Sequence, residues 1–330
     1  MHGSAVASSS DPQIFGDLER HRRELTAYCY RMLGSPFEAE DAVQDTLLRA
    51  WRALDRFEGR SSLRSWLYRI ATNICLDMLD GNKRRARPMD LGPARPPDGP
   101  LGEILPEVTW IEPIPDGRVL PDEDPASVAE SHETIRLAFV AALQHLPARQ
   151  RAVLILCEVL HWRAAEVAEL LDTSVAAVNS ALQRARATLD TADVADAGHG
   201  VLSEHDRELL ARYVDAFQRY DMDALTALIR EDATQSMPPY ELWLRGRDHI
   251  LDWWVGPGAA CRGSRVLPTV TANGSPAFGQ YKPSETGISG YDPWALQVLE
   301  VADGQIVEFT FFLATDTLFP LFGLPPRLDA

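Results

Sequence analysis

Asp41, Gln44 and Asp45 fall three and four residues apart, a spacing that places two carboxylates and an amide on one face of a helix. An acidic, amide-bearing helix face suits an arginine-rich partner helix through charge-assisted hydrogen bonds. The chemistry it offers is recognition of a protein surface. Farther on, Lys83-Arg84-Arg85-Ala86-Arg87 forms a basic run that would hold phosphates without reading sequence. One segment thus carries a protein-gripping face and a nucleic-acid-gripping run.

The elements that must hold these groups read as helices over about residues 17–87. Val43, Leu47, Ala50, Trp51 and Leu54 recur at helical spacing, as do Leu63, Trp66, Leu67, Ile70, Ile74 and Met78. Gly34-Ser35-Pro36 breaks the first helix from the second, and Gly59 to Ser62 precedes the third. From Pro88 to Pro125 the periodicity dissolves. Ten of the 23 prolines fall there among acidic residues, so 88–126 reads as a semi-extended linker. Trp110 and Ile111 are its apolar exceptions and are expected to dock on a neighbouring surface. Periodicity returns at 127–190, where Pro147 opens a helix carrying Val153, Leu156, Cys157 and Leu160. Helices over Ala164–Leu171 and Val175–Leu189 flank the turn Asp172-Thr173-Ser174, the helix-turn-helix signature, with Ser174 as N-cap. Val175, Val178, Leu182, Ala185 and Leu189 form the expected inward stripe of the second helix.

Beyond an Ala/Gly/Asp spacer at 192–200 the pattern changes. Ser203 with following acids opens a helix through Arg219, and a second covers Asp223–Ile229. Strand-like runs follow at Ala233–Met237, Arg265–Ala272, Ala277–Tyr281, Trp294–Val301 and Gln305–Leu313, with a hairpin turn at Ala302-Asp303-Gly304. Helices before a curved antiparallel sheet make an α+β cone.

A chain of 330 residues with 45% hydrophobic and 24% charged residues fits two or three soluble domains. No apolar run approaches the ~20 residues that span a bilayer, and the N-terminus lacks the features of a signal peptide, so a cytoplasmic location is expected. The four cysteines are far apart, with no metal-ligand spacing, so no metal or other cofactor is expected. The net charge of −16 argues against nucleic-acid binding only until it is divided along the chain. Residues 17–87 carry +3, 88–135 carry −9, 136–190 carry +1 and 191–330 carry −10. Within 60–87 the balance is +5, and local charge is what a phosphate backbone feels.

The stretches "EDAVQDTLLRAW" and "FEGRSSLRSWLYRIATNICLD" closely resemble the second region of bacterial sigma factors of the extracytoplasmic-function group. The stretch "LPARQRAVLILCEVLHWRAAEVAELLDTSVAAVNSALQRARATL" resembles their fourth region. The third domain resembles the SnoaL-like branch of the NTF2 fold through "YVDAFQRYDMDALTALIREDATQSMPP" and "LRGRDHILDWW". These resemblances imply two all-α domains, a region 2 bundle at 17–87 and a region 4 helix-turn-helix at 127–190, plus an α+β SnoaL-like cone at 203–320.

They also imply roles for individual residues. Asp41, Gln44, Asp45, Leu48 and Trp51 would dock on a coiled coil of the polymerase β′ subunit. The loop before the third helix would capture a base flipped from the promoter −10 element, a step costing a few kcal/mol. Arg60, Ser61, Ser62 and Asn73 would supply hydrogen bonds there, and Arg84 and Arg85 would hold phosphates. Phe57, Trp66 and Tyr68 would stack on melted bases at roughly 1–3 kcal/mol each, with core packing as the alternative. For the −35 element the candidates are Ser174, Ala176, Ala177, Asn179, Ser180, Gln183, Arg184 and Arg186, on a helix entering the major groove. Asn179 and Ala181 stand where many relatives are basic, which implies weaker binding and a shallower salt dependence.

Tyr213, Met237, Trp243, Trp254, Trp294 and Phe309 are the committed liners of the C-terminal pocket, with Trp253 and Phe311 as further candidates. Asp215, Asp232 and His249 are its available titratable groups, with Tyr213 as a proton donor. None forms a recognisable acid–base pair. The reading is a promoter-specificity subunit without bond chemistry of its own, with core polymerase and promoter DNA as partners, no membrane, and a candidate small-molecule ligand in the pocket. In fused members of this kind the extra domain stands in for a separate anti-sigma factor. A helix-turn-helix regulator with a ligand-binding domain, and a pocket enzyme, are the rival classes.

Overall fold

The computed structural model describes residues 12–57, 59, 61–81, 84–120, 133–191, 203–285 and 289–330. Two compact units emerge. One joins the chain up to Arg84 with Gly117–Val194, and the other joins Arg85–Asp116 with Ala195–Ala330.

The first unit is helical. After α1 (Pro12–Glu19), α2 (Arg22–Leu33) ends where Gly34 takes φ +76°, a left-handed conformation that glycine adopts without a Cβ penalty. Ser35 then caps α3 (Pro36–Ala53), with Pro36 at the first helical position where its missing N–H costs nothing. Ser62 caps α4 (Leu63–Leu79), its hydroxyl accepting from the Ser65 amide at 3.0 Å. The three helices bury Leu25, Tyr28, Val43, Leu47, Leu67 and Ile74 against one another. Tyr28 and Thr72 share a buried hydroxyl–hydroxyl bond of 2.8 Å.

Among the described residues four more named helices follow in this unit: α5 (Leu137–Gln144), α6 (Ala148–Leu154, continued by a π-turn at Ile155–Val159), α7 (Ala164–Leu170) and α8 (Val175–Thr191). Two buried arginines tie them to α2. Arg31 donates to the Thr134 carbonyl at 3.0 Å and hydroxyl at 2.7 Å. Arg151 donates to the carbonyls of Leu143, Gln144 and Leu146, to the Gln144 side chain, and to the Met32 carbonyl at the C-terminus of α2. Burial pushes both guanidinium groups down to about 10. At neutral pH they are still cations, held by carbonyl dipoles in place of water.

The second unit carries a six-stranded mixed sheet in the order β2-β1-β6-β5-β4-β3. The strands are β1 (Ile229–Ser236), β2 (Trp243–Arg245), β3 (Arg265–Pro268), β4 (Ala277–Pro283), β5 (Tyr291–Ala302) and β6 (Gln305–Phe312). Only β1 and β6 run parallel; all other neighbours are antiparallel. Asp303 and Gly304 both have positive φ, the primed-turn geometry that closes β5 onto β6. Helices α9 (Glu204–Arg219), α10 (Met222–Leu228) and α11 (Arg247–Val255) share a core with the sheet. The C-terminal tail forms α12 (Thr315–Leu321) and packs on the sheet: Phe319 meets the Tyr281 ring edge-on at 5.1 Å, and Thr269 donates to the Phe322 carbonyl.

The segment expected as a linker has a specific place. Residues 85–116 belong to this second unit and lie as a strap against two of its loops. The Leu105 amide donates to Pro239, the Arg95 amide donates to the Trp243 carbonyl, and the Arg95 side chain pairs with Glu241 at 3.0 Å. Farther along, Ile114 and Asn273 exchange two hydrogen bonds, and Asp116 accepts from the Gly274 amide. Trp110, Ile111 and Ile114 are buried, so the strap gains apolar anchoring despite having no periodicity. The end of the expected linker and the start of the second helical domain, 121–132, lie outside the described residues.

Candidate functional site

On α3 the sequence separates a buried side from an exposed one. Ala39, Ala42, Val43, Thr46 and Leu47 face the bundle, while Asp41 and Gln44 are exposed. Leu48 and Trp51, 39% and 43% exposed, are large apolar side chains left in water on the same helix. Asp45 is half-exposed and pairs with Arg49 at 2.7 Å. An open face with two acids, an amide, a leucine and a tryptophan fits a helical protein partner, since tryptophan and desolvated charged groups dominate such contacts.

The α4 candidates divide. Ser62 and Asn73 are exposed and Ser61 is half-buried, whereas Arg60 lies outside the described residues. Phe57 and Trp66 are half-buried and lie ring against ring at 4.8 Å. Tyr68 is fully buried; its ring packs on Tyr28 and Trp162, and its hydroxyl donates to Glu24 at 3.2 Å. Stacking of Tyr68 on a melted base is therefore replaced by core packing, because α4 is covered on that side by both α2 and the segment after α6. Arg84 is exposed and meets the His145 ring at 2.9 Å, but Arg85 is buried, donating to the Trp110 carbonyl at 2.6 Å beside Glu112. The basic run thus splits, and Arg85 serves the strap where a phosphate contact was expected.

In the helix-turn-helix, Asp172 takes φ +50° and Ser174 caps α8, accepting from the Ala177 amide at 3.1 Å. Ser174, Ala176, Ala177, Asn179, Ser180, Gln183, Arg184 and Arg186 are all exposed. Val178 and Ala185 are buried beneath them, but Val175, expected inward, is 43% exposed because it starts the helix ahead of the packed turn. Arg186 is paired with Glu158 at 2.5 Å.

The second unit holds a small, partly open pocket of about 30 Å3. Its walls are mainly aromatic, from Phe217, Trp253, Trp254, Trp294 and Phe311, with Met237 beside them. Tyr213 and Phe309 are fully buried one layer deeper, and Trp243 lies on the short strand β2 with its indole N–H on the Gly92 carbonyl. These three are core or strap contacts, not liners. Asp215, Asp232 and His249 are exposed on the outside. Asp232 is held below the usual carboxylate range by its hydrogen bond from Arg230.

Comparison with known proteins follows the same division. Residues 18–85 match the model for Sigma-70 region 2, 136–189 the model for Sigma-70, region 4, and 210–309 the SnoaL-like domain. The chain is 47% identical over 315 residues to ECF RNA polymerase sigma factor SigG of Mycobacterium tuberculosis, covering 94% of this chain and 83% of the relative. This chain belongs to the ECF RNA polymerase sigma factors. ECF RNA polymerase sigma factor SigJ of the same organism is 28% identical over 303 residues, 88% of each chain. The crystal structure of that extracytoplasmic function sigma factor superposes with a TM-score of 0.59 at 22% identity, covering 96% of this chain and 100% of the other, a likeness of fold.

Within this sigma factor, sequence reasoning missed the polar and small residues of the cavity: Gln235, Gln280, Cys261, Tyr220 and Met222. A glutamine on a strand reads as outward-facing polarity. Gln235 and Gln280 are nevertheless buried: Gln235 accepts from the Trp254 indole N–H, and Gln280 belongs to a chain of hydrogen bonds from Tyr213 to Gln297 to Gln280 to Ser264. No cluster of metal-ligating side chains occurs among the described residues, and no helix among them is long and apolar enough to cross a membrane.

Proposed function

We propose that this sigma factor grips the β′ subunit of core polymerase with Asp41, Gln44, Asp45, Leu48 and Trp51. It reads the −35 element with the exposed face of α8, and touches melted −10 DNA with Phe57, Arg60, Ser61, Ser62, Trp66, Asn73 and Arg84. Its C-terminal domain acts as a built-in regulator by holding the segment that joins the two promoter-reading regions. One observation carries this reading: residues 85–116 belong to the C-terminal unit, hydrogen-bonded to its loops through Arg95, Leu105, Ile114 and Asp116 and buried at 110–116. The reach between −10 and −35 contacts depends on the connector, so a domain that immobilises the connector biases which arrangement polymerase meets.

A regulator is favoured over an enzyme because the cavity liners include no carboxylate or imidazole. The titratable groups that could serve as base are exposed elsewhere. Work on core polymerase and promoter DNA places the protein in the cytoplasm.

Run-off transcription with purified core polymerase tests the reading. Full-length chain and chain ending at residue 200 are expected to differ by about tenfold or more in output, the effect of a ~1.4 kcal/mol shift in a two-state equilibrium. Equal output would remove the regulatory role and leave the sigma assignment standing.

A further inference from the structure

Helix α8 leaves one apolar side chain and two amides in water along a single row. Val175, Asn179 and Gln183 follow one another at four-residue spacing, so they stack along one flank of the helix. All three are exposed, and Val175 is 43% exposed although valine ordinarily packs inside. The helix rests its opposite side on α6 and α7 through Val178 and Ala185. Neither amide is engaged within the protein: among the described residues no hydrogen bond holds the Asn179 or Gln183 side chain.

The two nearby cations differ. Arg186 is held by Glu158 at 2.5 Å, whereas Arg184 has no ion pair among the described residues. One residue on from Gln183, Arg184 is turned about 100° round the helix, onto the flank away from the amides.

A row of free amides headed by an apolar residue matches one class of base pair. An amide offers one donor and one acceptor, the complement of adenine's N7 acceptor and N6 donor in the major groove. Guanine presents two acceptors there, N7 and O6, which suit a guanidinium and set an amide oxygen against a like lone pair. The thymine C5-methyl is the apolar group of that groove, and an exposed valine at the leading end of the helix fits it. Four residues of helix rise ~6 Å against ~3.4 Å per base step, so the two amides reach bases one or two steps apart.

We propose that α8 reads an A·T-containing −35 element through this row. Asn179 and Gln183 each pair with an adenine, and Val175 packs on a thymine methyl. Arg184 holds a phosphate and carries no sequence information. Asn179 stands where many relatives are basic, so at this position a base-edge contact replaces a phosphate contact. The proposal deepens the assignment of α8 to the −35 element and rests on it.

Holoenzyme assembled from the full-length chain and purified core polymerase tests this by run-off transcription from promoters randomised across the −35 element. The parent is expected to enrich adenine at two positions one or two steps apart, with thymine beside them. Asn179→Ala and Gln183→Ala should each relax one adenine position, lowering its preference about tenfold. Val175→Ala should relax the thymine about fourfold. On the enriched element, 7-deazaadenine under Asn179 removes the N7 acceptor; it should cut the parent's output about fivefold and leave Asn179→Ala unaffected. Uracil in place of thymine should likewise lower the parent's output and spare Val175→Ala. The base-analogue arms on the parent need no variant, and a melting transition checks the folding of each variant. Guanine at the selected positions, no loss with 7-deazaadenine, or unchanged preferences in the folded variants would overturn the proposal. If a −35 element is still selected and Arg184→Ala still weakens DNA binding, the assignment of α8 stands without it. Output indifferent to every −35 base would overturn both.

Discussion

Helices α4 and α8 both carry candidate DNA contacts, yet they sit in opposite surroundings. All eight candidates at α8 and its cap are exposed, above a narrow buried seam at Val178 and Ala185. On and around α4 the candidates are interleaved with core: Ser62, Asn73 and Arg84 are open, Trp66 is half-buried, and Tyr68 and Arg85 are closed. The difference comes from packing partners. Helix α8 rests on one side against α6 and α7, so its amphipathic pattern reads directly as inside and outside. Helix α4 is packed by α2 and α3 and also by Trp162, so polar-tipped aromatics on it become core.

Substitutions that probe the two helices should separate stability from DNA contact. The largest effect on folding is expected for Tyr68→Ala, about 3–5 kcal/mol lost in denaturant unfolding, because it empties a site walled by Tyr28 and Trp162 and strands a hydrogen bond. Next comes Arg85→Ala, expected to cost roughly 2–3 kcal/mol in the second unit, since the Trp110 carbonyl and Glu112 lose a buried partner. Ser174→Ala removes the cap of α8 and should cost about 1 kcal/mol, read by thermal melting. Smallest in stability, within about 0.5 kcal/mol, are Asn73→Ala and Arg184→Ala. Arg184→Ala should still lower the salt slope of −35 DNA binding by about 0.9. If Tyr68→Ala melted like the parent while Arg184→Ala did not, the contrast between the helices would be reversed.

The same contrast explains what was legible in the sequence. Short-range signals with a mechanism were readable: the Gly34-Ser35-Pro36 break, the Ser174 and Ser203 caps, and the Asp303-Gly304 hairpin all depend on a few adjacent residues. Strand β2, three residues long, offers no alternation to detect. The strap was only partly readable: Trp110 and Ile111 stood out as apolar exceptions, but the hydrogen bonds that place it, from Leu105 to Pro239 and between Ile114 and Asn273, join residues more than 120 positions apart. The cavity was half readable. Met237, Trp254 and Trp294 line it, but alternation cannot tell a liner from the core layer behind it, where Tyr213 and Phe309 lie. Nor does a polar strand residue such as Gln235 announce that it points inward.

The α3 face is the most direct test of the whole account, because the proposed grip on core polymerase runs through exposed Leu48 and Trp51 beside Asp41. The measurement is the affinity of full-length Asp41→Arg/Asp45→Arg chain for purified core polymerase, alongside its melting temperature. The account predicts at least about tenfold weaker binding with an unchanged melting transition. Binding as tight as the parent's, in a variant that folds normally, would contradict it.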